Sequence, residues 1–372
     1  TGAAPAAYVT FGDVCKGGAP MLSERAQWVR RHQERVLPLA HVIGCGWGRK
    51  RVRGRDTGRE GLVVFVRKKL PPSELKSTDC VPARLAGVET DVLEVGDGVL
   101  LGAVGHESGE RQSREPGVDR TARLRPAPPG VSIGHVHVTA GTFGAVVRDA
   151  ATGEPYILSN NHVLANQTDG RDGRARPGDP VLQPGPFDDG TPERDVIGHL
   201  ARFVPMRPAV TLPQCGTARA AEAVLNRLLR LAWPRYELRL FRRAEEDNVV
   251  DAALVKPVQD DMITDRIVGL GRVRGVAEAE VGMRVGKSGR TSGVTWGRVL
   301  ALGATMNVGL GGGVIARFAD QVVTSPLAEP GDSGSLVVDE RRRAVGLLFA
   351  GSARASLCNR IQAVCEALGV RF

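Results

Sequence analysis

The sequence predicts a mainly β fold with a small α/β unit on its N-terminal side. Across 372 residues there are 47 glycines and 23 prolines, enough to punctuate many short strands. Beyond Gly130, β-branched runs of strand length recur between Gly and Asp turns over about 240 residues, the texture of barrels or a sandwich. Before Gly130, one helical pattern and three strand-like runs form a separate group. The length corresponds to about two domains at roughly 150 residues each. With 42% hydrophobic and 24% charged residues, the composition excludes a coiled coil, a collagen-like chain and wholesale disorder.

Residues 1–21 read as a disordered extension, and 22–106 as an N-terminal α/β domain. In that domain Leu22–Leu37 is helical with Ser23 as its cap, His41–Gly48 is an apolar strand, and Arg49–Arg59 is a basic turn. Leu62–Val66 is a β-branched strand, Pro71-Pro72-Ser73 can start a short helix, and Val88–Val95 alternates as a further strand. Residues 107–129, rich in Arg and Pro without periodicity, read as a linker. From 130 to 372, Phe143–Arg148 and Tyr156–Ser159 form a hairpin through Ala151-Thr152-Gly153. Strands are expected near Val196–Val204, Val249–Lys256, Arg284–Gly286, Gly297–Leu302, Gln321–Ser325, Ser335–Asp339 and Ala344–Phe349. A turn-rich stretch, Asp169–Arg194, and an inserted amphipathic helix, Thr217–Ala232, interrupt them, and Ser356–Leu368 is a second amphipathic helix.

Fifty Lys and Arg against 41 Asp and Glu give a net charge of +9, a balance that attracts polyanions. Arginine predominates even in strand-like runs, as in a compositional bias, and aromatics at 4% offer no base-stacking platform. The cluster Arg49, Lys50, Arg51, Arg53, Arg55 and Arg59 reads as a solvated hairpin tip, so no nucleic-acid partner is expected. No apolar run reaches the roughly 18–20 residues that cross a bilayer, and the N-terminus has no secretory pattern; no membrane partner is expected. Cysteines at 15, 45, 80, 215, 358 and 365 have no framework spacing. Cys358 and Cys365, seven apart on one helix, would stand about 10 Å from each other, too far to bridge. Reduced thiols in a cytoplasmic compartment follow as the expectation. His135 and His137 alternate on one strand face without a third ligand, so neither a metal nor a cofactor is expected.

Three segments carry chemistry. Glu329-Pro330-Gly331-Asp332-Ser333-Gly334-Ser335 sets a hydroxyl between glycines. The first glycine lets the chain turn so that its own N–H and that of Ser333 point at one spot, the arrangement an oxyanion requires. Ile157–Ala165 ends a hairpin strand in a polar step bearing His162, which a loop can present to a cleft. Asn248–Val255 puts Asp251 at the head of an apolar strand, where a buried carboxylate can orient an imidazole. Asp251 follows His162 by 89 residues and Ser333 follows Asp251 by 82, the His, Asp, Ser order found in one of the unrelated triad architectures.

These segments resemble the histidine, aspartate and serine motifs of chymotrypsin-fold proteases of the bacterial HtrA type, and Gly286–Gly293 resembles the glycine-rich hairpin that precedes the serine in trypsin-like domains. The N-terminal α/β unit together with the leucine-rich helix also resembles the trypsin-like family containing the plant narrow-leaf protein. The resemblance implies a chymotrypsin-like double β-barrel over residues 130–372 and a serine endopeptidase. In it His162 acts as general base, Asp251 orients it, Ser333 attacks, and backbone N–H groups of Gly331 and Ser333 hold the oxyanion. The position six before the serine, Leu327, implies an apolar pocket floor and small or aliphatic side chains at the cleavage site; Phe349 would help line it, and Gly351 would pair with an extended substrate. Protein or peptide substrates are the implied partners, and helix 217–232 could join copies into a homo-oligomer. No zymogen-type N-terminus is expected just before the first barrel, where the α/β unit lies, so pairing of Asp332 with a liberated amine is not assumed, and no PDZ-like extension is expected after the protease domain. The alternative from another class is a protease-like binding or scaffold module with little or gated activity.

Overall fold

The computed structural model describes residues 22–52, 55–101, 118–211, 215–244 and 246–372. The expected N-terminal extension and the 107–117 part of the expected linker lie outside these residues.

Helix α1 (Glu24–His32) starts at Ser23, whose Oγ accepts from the Ala26 N–H and donates to Asp320, and ends in Arg30, Arg31 and His32, which suit the negative end of the helix dipole. Strands β1 (Val42–Val52) and β2 (Arg55–Val66) form an antiparallel hairpin. The basic stretch expected as a turn is therefore mostly strand. Arg49 lies opposite Glu60 and Arg51 opposite Asp56, and these cross-strand charge pairs let an arginine-rich sequence run extended. Residues Leu62 to Val66 are buried on both faces: Val63 and Phe65 pack toward Ala304, Met306 and Phe318, while Leu62, Val64 and Val66 pack with Val29 and Val36. Strand β3 (Val88–Glu94) runs parallel to β2, and a short strand β4 (Val99–Leu100) follows.

Six strands then close a first barrel: β5 (Ser132–His135), the stretch β6 (Gly141–Thr142) with β7 (Ala145–Asp149), β8 (Pro155–Ser159), β9 (Pro180–Leu182), β10 (Val196–Phe203) and β11 (Ala253–Pro257). Pairing runs β7–β8–β11–β10–β9–β5 and returns to β6, which continues into β7, so the ring has no free edge. Helix α2 (Asn161–Leu164) follows β8, and helix α3 (Gly216–Ala232) lies between β10 and β11.

A second ring is built from β12 (Arg284–Gly289), β13 (Gly293–Gly311), β14 (Val314–Thr324), β15 (Leu336–Asp339), β16 (Ala344–Gly351) and β17 (Ser356–Arg360), paired in the order β12–β15–β16–β17–β14–β13 and closed by β13 on β12. The chain thus has the chymotrypsin-like double-barrel architecture, mainly β, read directly from its strand pairing. Helix α4 (Ile361–Leu368) buries Ile361, Ala363, Val364 and Leu368, and strand β18 (Val370–Arg371) returns to β7 in the first barrel.

The hairpin β1–β2 is not a detached unit. β1 pairs with β13 from Gly44–Met306 to Gly48–Ala301 and so extends the second barrel's sheet. Residues 118–129 also belong to the packed body: Ser132 N–H donates to Arg120, and the amide of Gln183 bonds both Ala122 and Leu124. Helix α3, by contrast, buries no residue, and Leu228 and Leu231 are 59% and 83% exposed. Among the described residues no helix is long and apolar enough to cross a membrane.

Candidate active site

The site forms where the Gly331–Ser335 turn of the second barrel meets strand 141–149 of the first. Thr142 N–H donates to Ser333 O at 2.7 Å, and Thr142 Oγ1 donates to Gly331 O at 2.9 Å. Gly334 has φ +92°, and a Cβ there would fall 1.9 Å from Ser159 Oγ, so only glycine lets the barrels approach at this point. Gly331, φ +98°, turns the chain before the serine.

His162 sits in the first turn of α2, fixed from both sides. Val163, Leu164 and Ala165 are fully buried in the first barrel, and the Asn161 amide donates to Thr168 O and Val204 O. Asp251 is fully buried just ahead of β11. Its Oδ2 lies 2.6 Å from His162 Nδ1, and its Oδ1 accepts the His162 backbone N–H at 3.2 Å. The carboxylate can only accept, so Nδ1 carries the proton and Nε2 presents a lone pair. Nε2 is buried and has no hydrogen-bond partner among the described residues.

Two asparagines hold the aspartate. The Asn160 amide donates to Asp251 O at 2.7 Å, and Asp251 N–H donates to Asn359 Oδ1 at 3.0 Å from the second barrel. Asn359 Nδ2 in turn donates to Gln321 Oε1. The acid is therefore clamped by both barrels, and nothing in the spacing of the sequence pointed to Asn359.

Ser333 is fully buried and its Oγ donates to the Phe349 carbonyl at 3.1 Å. The preceding Asp332 is locked by Lys287, whose Nζ lies 2.8 Å from Oδ2, both side chains being 0% exposed. Asp332 Oδ1 also accepts the N–H groups of Thr291 and Ser292, and Glu329 N–H donates to Oδ2. Burial holds the Lys287 ammonium below its usual value, against the pull of Asp332. A buried lysine between Gly286 and Ser288 on β12 thus supplies the cation that the expectation for Asp332 left open. A lone Lys in a strand that is otherwise inward-facing was the signal available in the sequence.

Leu327 is 3% exposed and belongs to one apolar cluster with Leu101, Val299, Val345, Leu348 and Cys358. Gly351 lies opposite Val99 in an antiparallel pairing of β16 with β4. The Phe349 side chain does not line this pocket: it packs in the core against Phe318, ring centroids 4.7 Å apart, because β16 alternates its faces and turns Leu348 toward Leu327 instead. Phe349 contributes its carbonyl. The Gly331 N–H donates to the carbonyl of Leu101 at 2.6 Å. Away from the site, both ring nitrogens of His135 are engaged, Nδ1 accepting the His137 N–H and Nε2 facing Asp179.

No family model matches the chain. It is 37% identical over 97 residues to Serine protease 2 of Streptomyces fradiae, 26% of this chain and 47% of the relative, so the chain spans about half the length of that curated relative. Among solved structures, Protease A of Thermobifida fusca superposes with a TM-score of 0.41 at 16% identity, covering 66% of this chain and 98% of that one. The Nocardiopsis protease does so with a TM-score of 0.39 at 16% identity, covering 66% and 98%. The chain is therefore similar in sequence to a bacterial serine protease, while the assignment of its fold rests on the two closed rings of strands.

Proposed function

We propose that this chain is a serine endopeptidase working through an acyl-enzyme, with protein or peptide substrates. The observation that carries the reading is the buried His162–Asp251 pair, whose Nε2 lone pair is left without a partner in a chain that also holds a glycine-flanked serine turn. Ser333 Oγ swings from the Phe349 carbonyl to His162 Nε2 and attacks the scissile carbonyl as the imidazole takes its proton. The oxyanion is held by the N–H groups of Gly331 and Ser333, each such donor contributing about 2.7–4 kcal/mol. The imidazolium then protonates the leaving amine, and water releases the acyl group by the same steps in reverse. The apolar lining around Leu327 supports a preference for small or aliphatic side chains before the cut.

The test is labelling by a fluorophosphonate probe, expected for the wild type and absent in Ser333→Ala. The second reading, a protease-like binding module, is favoured by one observation, the bond from Ser333 Oγ to the Phe349 carbonyl rather than to His162. With little or gated activity, it predicts a folded wild type that the probe labels weakly or not at all on its own. Two further parts of the proposal have their own support. The exposed leucines of α3 fit a homo-oligomeric contact, which Leu225→Ala with Leu229→Ala would weaken in light scattering. The free thiols of the described cysteines fit a reducing, cytoplasmic compartment.

A further inference from the structure

Residues 98–101 lie in the cleft in the manner of an extended substrate. β4 pairs antiparallel with β16, Ala350 opposite Leu100 and Gly351 opposite Val99. Leu101 N–H donates to the Phe349 carbonyl at 3.2 Å, and Leu101 O accepts the Gly331 N–H at 2.6 Å. The carbonyl of Leu101 therefore sits on one of the two donors assigned to the oxyanion, and its side chain, 4% exposed, shares the apolar cluster of Leu327, Val345 and Leu348. A Cβ on Gly351 would come within 3.1 Å of Ala355 O and 3.3 Å of Leu101 Cδ1, so the glycine spares this leucine a tight contact. On the far side the strand is held by β13, Gly309 N–H donating to Gly98 O at 3.0 Å. Main-chain pairing on both sides, a filled pocket and an engaged oxyanion donor are independent features, and all three fix one register.

We infer that the chain is its own first substrate: the site hydrolyses the peptide bond on the C-terminal side of Leu101, and the strand ending there stays bound as a product that plugs the non-primed half of the cleft. This rests on the protease reading above. In the step, Ser333 Oγ forms an ester with the Leu101 carbonyl carbon and the C–N bond breaks. The serine proton passes through His162 to the departing amine. Water then cleaves the ester, leaving a carboxylate on Leu101 and restoring the serine. The N-terminal piece does not depart, because β1 remains hydrogen-bonded to β13 and β4 to β16. The attack is intramolecular, so its rate is independent of protein concentration.

The experiment follows the purified full chain by intact-mass spectrometry over time, with fluorophosphonate labelling in parallel. Wild type is expected to convert into two pieces cut after Leu101, with one half-time across a hundredfold range of concentration, while Ser333→Ala remains whole. Leu101→Asp, which puts a charge against an apolar pocket, is expected to remain whole and to label at least tenfold faster than the processed wild type. Val99→Pro changes a side chain that is 48% exposed and removes a backbone N–H from the strand paired with β16; with its fold checked by circular dichroism, it is expected to show the same two effects more weakly. A wild type that labels yet stays whole, is cut elsewhere, or is cut equally in Ser333→Ala overturns the inference and leaves the protease reading standing. If wild type, Leu101→Asp and Val99→Pro all fold and none labels, the protease reading itself fails, and this one with it.

Discussion

Replacing Lys287 by methionine tests how the serine turn is held. Lys287 and Asp332 are each 0% exposed and 2.8 Å apart, so the substitution strands a carboxylate where water cannot reach it. Breaking a buried pair from one side costs roughly 3–5 kcal/mol. Asp332 keeps the N–H groups of Thr291, Ser292 and Glu329, which places the expected loss near the lower end, about 3 kcal/mol. In a domain of about 150–250 residues each kcal/mol moves the melting temperature by roughly 2–4 °C, so a fall of about 6–12 °C is expected by circular dichroism at pH 7. The turn that carries Gly331 and Ser333 loosens with it, and probe labelling is expected to drop by about tenfold, equivalent to about 1.4 kcal/mol. The double variant Lys287→Met with Asp332→Asn leaves no buried charge and is expected to recover part of the stability. A single variant that loses less than about 1 kcal/mol, the range of exposed pairs, would refute the reasoning, as would a double variant no better than the single.

Gly334→Ala forces a Cβ to within 1.9 Å of Ser159 Oγ and 2.4 Å of Thr142 O at φ +92°, so the barrels must part; loss of labelling with a lowered urea midpoint is expected, and a fully labelled variant would show that the turn tolerates it. His135 is a neutral, fully enclosed imidazole that burial holds below its usual value of 6.5. The unfolded chain then binds more protons in acid, so stability falls as pH drops below about 6.5, and His135→Asn should flatten the urea midpoint between pH 7.5 and pH 5.5. Leu327→Asp converts the pocket floor to an anion and is expected to shift peptide cleavage from leucine toward arginine; an unchanged preference would mean that the floor lies elsewhere.

The catalytic candidates were legible because each stands in a local pattern: a serine between glycines, a histidine closing an apolar hairpin strand, an acid heading an apolar run. Most strands of both barrels were legible for the same reason, since the period-2 alternation that marks them is local. Strand β9, however, fell in the stretch expected as turns, and Ser356–Arg360 is a strand where a helix was expected, only Ile361–Leu368 being helical. What could not be read is everything that depends on pairing across the fold. The basic stretch 49–59 looked like a turn because nothing in it reveals that Glu60 and Asp56 lie opposite Arg49 and Arg51. Lys287, Asn359 and Leu101 act through partners that lie 45, 108 and 230 residues away in the chain, Asp332, Asp251 and Gly331. Phe349 was assigned to the pocket by counting along a strand, and the strand's alternation sent its ring to the other side.

The pairing of β1 with β13 has a consequence for how the protein can be handled and how it can go wrong. A shortened chain beginning after residue 117 would keep both rings of strands but would strip the cover from β13 over residues 301–306, where Ala301, Ala304 and Met306 are all buried in the whole protein. A long apolar strand with a row of unsatisfied N–H and C=O groups recruits another copy of itself. The separated barrels should therefore precipitate or form intermolecular sheets, while the same barrels supplied with residues 22–101 as a second polypeptide should be recovered in solution as a noncovalent pair.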